Sequence, residues 1–178
     1  TVRRGARVVG RPPPPGTSAG MRIGIVAPPW LPVPPRGYGG TERVVASLAD
    51  GLVGRDHEVT LFAAVGSETR ARLVTPLPEP PPYVNARRED EIYHSLVALR
   101  AADEFDVVHD HTPLGPVFAA IRGDGPPLVH TIHSRWTQGA RRTLGAVADR
   151  VHLVAISEAQ QRANLTVPYA GIVHNGVE

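Results

Sequence analysis

The chain has 178 residues, of which 42% are hydrophobic and 20% charged, and it contains no cysteine. The size suits one globular domain, and the lack of cysteine excludes disulfide scaffolds, thiolate zinc sites and a cysteine nucleophile. No run approaches the roughly 18 apolar residues of a membrane-spanning helix. All 19 basic residues are arginine, and residues 21–178 hold 15 of them against 17 acidic residues. This balance argues against a nucleic-acid partner.

The first 20 residues differ in composition from the rest. Segment 1–20 combines four arginines with four successive prolines and little apolar periodicity, which predicts a disordered tail outside the fold. A secretory signal would require an apolar stretch after the arginines, and none follows them. Met21, the only methionine, precedes the first strand signal and is the expected natural start. We therefore expect a folded domain over 21–178 and a cytoplasmic location.

From Met21 onward, short apolar runs alternate with helix-period segments. The predicted strands are Arg22–Ala27, Glu58–Ala63, Asp106–Asp110, Leu128–Ile132, His152–Ile156 and Gly171–Val173. Runs of this length without strict polar alternation are typical of strands buried on both faces. Helices are predicted over Thr41–Gly54, with Thr41 as N-cap, and over Glu89–Ala102. The pattern indicates an α/β fold with a doubly wound, mainly parallel Rossmann-like sheet and helices on both faces.

Two proline-dense connections, Pro28–Pro35 and Pro76–Pro82, are predicted to be surface loops because proline cannot donate to a sheet ladder. The first connection joins the opening strand to the first helix. That position lies at the carboxyl end of the sheet, where open α/β folds bind their ligands. We therefore expect a ligand crevice there.

A glycine pair stands at that crevice. The segment RGYGGTERVV (36–45) places Gly39 and Gly40 just before a helix N-terminus, where free backbone N–H groups attract an anion such as a phosphate or diphosphate. A tight strand-to-helix turn without any ligand is the alternative interpretation. The dinucleotide fingerprint GxGxxG and a phosphate-binding lysine are both missing from the sequence.

Four histidines belong to two neighbouring predicted strands. We expect His109 and His130 to be buried structural residues, and His111 and His133 to reach the crevice as hydrogen-bond donors. A zinc site needs three convergent ligands with supporting partners, and Asp110 is expected to face away from its histidine neighbours. No metal is expected. A small metal-dependent hydrolase that uses His109, His111 and His130 stays a less favoured hypothesis.

Other candidate groups have weaker support. Ser157 lacks the flanking glycines of a nucleophile elbow and is predicted to cap a helix over 158–164. Asp110 and Glu158 are expected to be solvated loop charges or cap partners instead of an acid–base pair. Aromatic residues near the crevice could contact a sugar face or simply pack, and both interpretations stay open. These aromatic residues are Trp30, Tyr38 and Trp136.

Five stretches carry a resemblance to a known family. They are 22–64 with PPRGYGGTERVV, 105–115 (FDVVHDHTPLG), 127–134 (PLVHTIHS), 152–160 (HLVAISEAQ) and 171–178 (GIVHNGVE). In this order they resemble the N-terminal domain of a family 4 glycosyltransferase with the GT-B fold. In such enzymes two Rossmann-like domains face each other across a cleft.

The resemblance implies roles for individual residues. Gly39 and Gly40 would approach the donor diphosphate, and His133 would be the catalytic histidine at the donor sugar or reacting centre. The residues implied on the acceptor side of the cleft are Tyr38, Glu42, His111 and Trp136. Asn175 and Gly176 would form the hinge into the second domain, and no cofactor is implied.

The chain stops at Glu178, where the family's donor domain should begin. The resemblance thus implies the N-terminal half of a retaining glycosyltransferase that uses a nucleotide-diphosphate sugar and an unidentified acceptor. We expect it to be inactive alone, unless the missing C-terminal donor domain is supplied in cis or in trans. A non-catalytic glycan-binding, polyol-binding or regulatory module of the same fold is the alternative. Peripheral membrane contact stays open, although no basic amphipathic helix supports it.

Overall fold

The computed structural model describes residues 7–9, 20–79 and 88–176. Its strands are β1 (Arg7–Val9), β2 (Arg22–Val26), β3 (Glu58–Phe62), β4 (Arg72–Thr75), β5 (Val107–Asp110), β6 (Leu128–Ile132), β7 (His152–Ala155) and β8 (Gly171–Ile172). All six strands predicted from the sequence are confirmed, each to within one residue at either end. The strands β1 and β4 were not predicted.

Five α-helices connect these strands within the described ranges. They are α1 (Gly40–Val53), α2 (Arg88–Arg100), α3 (Gly115–Arg122), α4 (Gln138–Val147) and α5 (Glu158–Arg162), and a 3-10 turn covers Ala102–Glu104. The predicted N-cap of α1 is wrong by two positions, because the helix begins at Gly40 and is capped by Gly39. The φ angle of Gly39 is 147°, a conformation that glycine adopts without strain and that turns the chain into the helix one residue before Thr41.

The strands form one sheet in the order β1-β4-β3-β2-β5-β6-β7-β8. Strands β2 to β8 are parallel, and β1 pairs with β4 in the antiparallel direction. The chain runs outward from β2 through β3 and β4, then returns to pair β5 with the other side of β2. The reversal leaves a crevice at the carboxyl ends of β2 and β5, which is where this class of sheet binds ligands.

Two apolar clusters cover the sheet. One joins Ile25 of β2 and Leu61 of β3 to Val45 and Ala49 of α1, all with no exposed surface. The other spreads from β5 and β6 toward α2, α3 and α4. Strands buried on both faces between helical layers confirm the predicted doubly wound α/β architecture.

The first proline-dense connection is less exposed than the sequence predicts. Pro29, Val33 and Pro35 are buried, although Pro34 is exposed. The loop packs against the turn after β3, since the Val33 N–H donates to Ser67 Oγ at 2.9 Å and the Val33 carbonyl accepts from the Glu68 N–H at 2.7 Å. These bonds satisfy the backbone groups that burial removes from water. The connection is therefore a packed wall of the crevice.

Two predictions concern regions that the structure describes only in part. Within the tail 1–20, Arg7–Val9 forms the edge strand β1 opposite Leu73–Thr75 of β4. The other residues before Gly20, and most of the second proline-dense connection, lie outside the described residues. No helix in the described ranges combines the length and hydropathy needed to cross a lipid bilayer.

Candidate functional site

A cavity of about 580 Å³ opens at the point where the strand order reverses. This volume is within the range of pockets that hold small ligands. The loop after β2, the first turn of α1 and the carboxyl ends of β5 and β6 form its walls. Its lining includes the predicted site residues Tyr38, Gly39, Gly40, Glu42, His111 and His133, together with Trp30, Thr112, His130 and Ser134. We call this cavity the cleft.

The two glycines of the cleft have different surroundings. A Cβ atom on Gly39 would lie 2.7 Å from Pro35 Cγ, so this position has room only for glycine. A Cβ atom on Gly40 would meet nothing within 4 Å, so its backbone borders open space. The first intrahelical bond runs from the Arg43 N–H to the Gly39 carbonyl, and no side chain caps α1. The N–H groups of Gly40 and Thr41 are therefore available to an anion at the edge of the cleft.

Glu42 lies in the first turn of α1 with only 6% of its surface exposed. Burial raises the pKa of its carboxyl group, and the opposing effect of its own backbone N–H is smaller. A negative charge at this position would compete with an anionic ligand for the helix N-terminus.

His111 and His133 follow directly after β5 and β6, and they meet in the cleft. Nδ1 of His111 and Nε2 of His133 are 2.8 Å apart in a hydrogen bond. His109 stacks on His111 with ring centroids 4.3 Å apart, and its own Nε2 shares a hydrogen bond of 2.8 Å with Thr131 Oγ1. Nε2 of His111 is buried and has no hydrogen-bond partner among the described residues.

These imidazoles are held in the neutral form. Burial lowers the pKa of His133 to about 4, with a further contribution from the nearby His130. Burial also lowers the pKa of His109 to about 4 and that of His111 well below its ordinary value. Neutral rings can both donate and accept hydrogen bonds, whereas imidazolium only donates.

A buried pair supports the cleft, and it corrects the expectation that Asp110 is a solvated loop charge. Asp110 has no exposed surface, and its Oδ2 accepts from His130 Nδ1 at 2.8 Å. Oδ1 accepts from the Thr112 hydroxyl at 2.8 Å, and Oδ2 also accepts from the Thr112 N–H. Burial raises the pKa of Asp110, and its hydrogen bonds oppose that rise. The network fixes the turn that carries His111.

Gly115 completes this network. A Cβ atom there would lie 2.2 Å from Asp110 Cγ, so α3 begins in direct contact with the carboxylate. Sequence analysis found neither this approach nor the pairing of Asp110 with His130. The available signal is positional, because Asp110 ends β5 and lies opposite His130 of β6 in the parallel register.

The other predicted residues lie away from the cleft. Trp136 lines a second, adjoining cavity. Ser157 caps α5 as predicted, since its Oγ accepts from the Gln160 N–H at 3.1 Å. Glu158 is exposed and pairs with Arg162 at 2.9 Å. Asn175 and Gly176 are exposed in the coil after β8. In the part of the chain that the structure describes, no group of three acidic or histidine side chains is placed to hold a metal ion.

A parallel sheet with a cleft at its reversal point and an uncapped helix N-terminus beside that cleft defines a Rossmann-like α/β domain. The particular family follows from sequence comparison. The chain belongs to Glycosyltransferase Family 4, whose sequence model matches residues 38–178. No match is found among curated protein sequences.

Solved glycosyltransferase structures share the fold. AviGT4, involved in avilamycin A biosynthesis, is 25% identical with a TM-score of 0.50, and 89% of this chain aligns with 43% of that protein. HepE from Anabaena in complex with UDP-glucose is 18% identical with a TM-score of 0.52, and 89% of this chain aligns with 44% of that protein. Sucrose-phosphate synthase from Thermosynechococcus elongatus is 14% identical with a TM-score of 0.65, and 89% of this chain aligns with 49% of that protein. The chain therefore spans less than half the length of each of these proteins.

Proposed function

We propose that the chain is the acceptor-side half of a retaining glycosyltransferase, which moves a sugar from a nucleotide-diphosphate donor to an acceptor hydroxyl. The observation that carries this proposal is the convergence of the open N-terminus of α1 and the neutral His111–His133 pair on one cleft. Family membership and the UDP-glucose complex of HepE support a nucleotide sugar as the donor. Retention of the anomeric configuration is what the family resemblance implies.

The chemistry divides between two kinds of group. Gly39, Gly40 and the N–H groups of the first helical turn would stabilise the departing diphosphate by hydrogen bonding and the helix dipole. His133 would hydrogen-bond the transferred sugar, and its neutral ring serves this role without adding charge. The reaction also needs cationic groups at the diphosphate, and among described residues the cleft lining includes no arginine. We therefore propose that a second domain, in cis or in trans, supplies them.

Gly40 offers the sharpest test. Gly40→Ala adds one methyl group where the structure has open space, so the fold should be kept while the approach of a diphosphate is blocked. Gly37→Ala is the matched control, because Gly37 lies in the same loop and a Cβ there also meets nothing within 4 Å.

The assay measures sugar transfer and hydrolysis from a panel of nucleotide sugars. It uses the chain joined to the nucleotide-sugar-binding half of a family 4 enzyme. We expect activity in the parent and the Gly37→Ala variant, a loss of about tenfold or more in Gly40→Ala, and a comparable loss in His133→Ala. An inactive parent with every donor in the panel would contradict the proposal. Unchanged activity in Gly40→Ala would remove the diphosphate assignment and favour a binding module of the same fold.

A further inference from the structure

A second cavity of about 420 Å³ adjoins the cleft between α4, the end of β7 and α5. Its lining is His133, Ser134, Arg135, Trp136, Arg141, Ile156, Ser157, Ala159, Gln160 and Ala163. We call it the arginine groove. His133 and Ser134 line both the cleft and the groove, so the two cavities meet at the histidine assigned to the transferred sugar.

The arginine groove carries an uncompensated positive charge. Two of its lining residues are arginines, and no carboxylate is among the lining residues that the structure describes. Arg135 has neither an ion pair nor a hydrogen bond to another described residue, and Arg141 uses one N–H in a bond of 2.6 Å to the Ala163 carbonyl. Glu158 begins α5 nearby, but its carboxylate pairs with Arg162 at 2.9 Å. Both guanidinium groups thus keep donors for a ligand.

The groove is also built from fixed parts. Trp136 donates its indole N–H to the Gln160 carbonyl at 3.1 Å, and the Arg141 guanidinium lies 5.8 Å from the centre of the Trp136 ring. The Gln160 side chain donates to the carbonyls of Ile132 and Ser134 and accepts from the Ile156 N–H. An arginine stacked on a held aromatic ring loses little conformational freedom when it binds an anion.

We propose that the arginine groove binds an acidic group of the acceptor, a phosphate monoester or a carboxylate. The planar guanidinium fork matches both groups. An acid held at Arg135 and Arg141 would place the rest of the same molecule at the mouth of the cleft, with its hydroxyl beside His133. This inference rests on the proposed function, because only a transferase has an acceptor. It adds the chemical class of that acceptor.

The test titrates the full 178-residue chain with glucose 6-phosphate, glucuronate, glucose and inorganic phosphate, followed by calorimetry and amide chemical shifts. We expect one of the two acidic sugars to bind about tenfold or more tightly than glucose, with shifts centred on 134–136 and α4. The tighter of the two identifies the acid. Equal binding of glucose and both acidic sugars would overturn the proposal, as would no binding by any acidic sugar.

Variants assign the binding to the groove. Arg135→Gln and Arg141→Gln should each weaken the acidic sugar by about tenfold. Arg142→Gln is the matched control, because it removes the same charge from the next exposed position of α4, outside the groove lining. An equal loss in Arg142→Gln would indicate general charge attraction and overturn the site. Midpoints of thermal unfolding check that the variants fold, and Arg135→Gln removes no intramolecular bond between described residues.

The experiments distinguish failure of the acid-binding proposal from failure of the transferase proposal. UDP added to the chain carrying the acidic sugar should leave the signals of Arg135 and Trp136 unchanged, because neither residue lines the cleft to which the diphosphate is assigned. If the acidic sugar binds through the arginines but the fused enzyme shows no sugar transfer, the acid-binding site is supported and the transferase proposal is rejected. If the fused enzyme transfers sugar but the acidic sugar does not bind through the arginines, the transferase proposal is supported and the acidic acceptor is rejected.

Discussion

His111 and His133 are joined by a single hydrogen bond, 2.8 Å between Nδ1 of the first and Nε2 of the second, across the ends of two adjacent parallel strands. With both rings neutral, one ring donates and the other accepts. The two remaining nitrogens, Nε2 of His111 and Nδ1 of His133, are therefore always one donor and one acceptor. Nδ1 of His133 is the donor in one arrangement of the pair and the acceptor in the other.

The protonation of this pair can be measured directly. Because burial lowers the pKa of His133 to about 4 and that of His111 well below its ordinary value, both rings should be neutral at pH 6. We expect ring ¹⁵N spectra at pH 6 to show one protonated and one bare nitrogen in each ring, with the signals assigned by the variants His111→Gln and His133→Gln. Imidazolium signals from either ring at that pH would contradict the buried neutral pair.

His94, which lies outside the cleft, also makes the fold sensitive to acid. His94 of α2 has no exposed surface, its Nε2–H donates to the Ala27 carbonyl at 2.9 Å, and its pKa is lowered by burial from 6.5 to about 4. The unfolded chain then binds more protons than the folded chain between these values. The stabilisation is complete above pH 6.5 and is lost as the pH falls through about 4.

The measurement is urea unfolding between pH 7 and pH 4. His94 should lower the free energy of unfolding by at most about 1.4 kcal/mol per pH unit across this interval. His94→Gln keeps an N–H donor for Ala27 and cannot be protonated in this range, so its free energy of unfolding should fall less steeply with acid. Parallel curves for the two proteins would show that His94 is not the titrating group.

Gly115 tests the buried network beneath the cleft. A Cβ atom there would lie 2.2 Å from Asp110 Cγ, and Asp110 cannot move without breaking its bonds to His130 and Thr112. We expect Gly115→Ala to lower the free energy of unfolding by about 1–3 kcal/mol. Gly145→Ala is the control in the last turn of α4, where a Cβ meets nothing within 4 Å, and it should stabilise the fold by up to about 0.5–1 kcal/mol. Equal effects of the two substitutions would contradict the close approach at Asp110.

The fold was predictable because buried parallel strands leave a local signal. Runs such as Ile23–Val26 are continuous and apolar, and the structure confirms them as strand. Arg72–Thr75 is a four-residue strand with Arg72 and Leu73 half-buried, and its pattern resembles a loop beside the prolines that follow. Its place is set by pairing with β3, a contact that the local sequence does not carry.

Those parts of the site whose residues lie close together in the sequence were predictable. The glycine pair and the histidines that follow β5 and β6 lie in short motifs, and the structure brings them to one cleft. The Asp110–His130 pair depends on the register of two strands 20 residues apart in sequence, and the arginine groove depends on how α4 packs beside α5. Register and packing follow from burial over the whole sheet, so single motifs do not reveal them.

Glu42 gives the last prediction, which concerns charge at the mouth of the cleft. Burial raises the pKa of this carboxyl group, so the folded chain takes up its proton more readily than the unfolded chain. The contribution of Glu42 to stability is therefore complete below the ordinary range of a carboxyl group and is lost as the pH rises through the raised pKa. Glu42→Gln carries no charge at any pH, and we expect it to exceed the parent in free energy of unfolding at pH 8.

The comparison is made by urea unfolding of both proteins at each pH from 8 down to 4. Because the histidines titrate alike in both, their effect cancels in the difference between the two curves. That difference should shrink as the pH falls, since protonation makes Glu42 as neutral as glutamine. A Glu42→Gln variant that is less stable than the parent at pH 8 would mean that the carboxylate gains more from the N-terminus of α1 than it loses by burial.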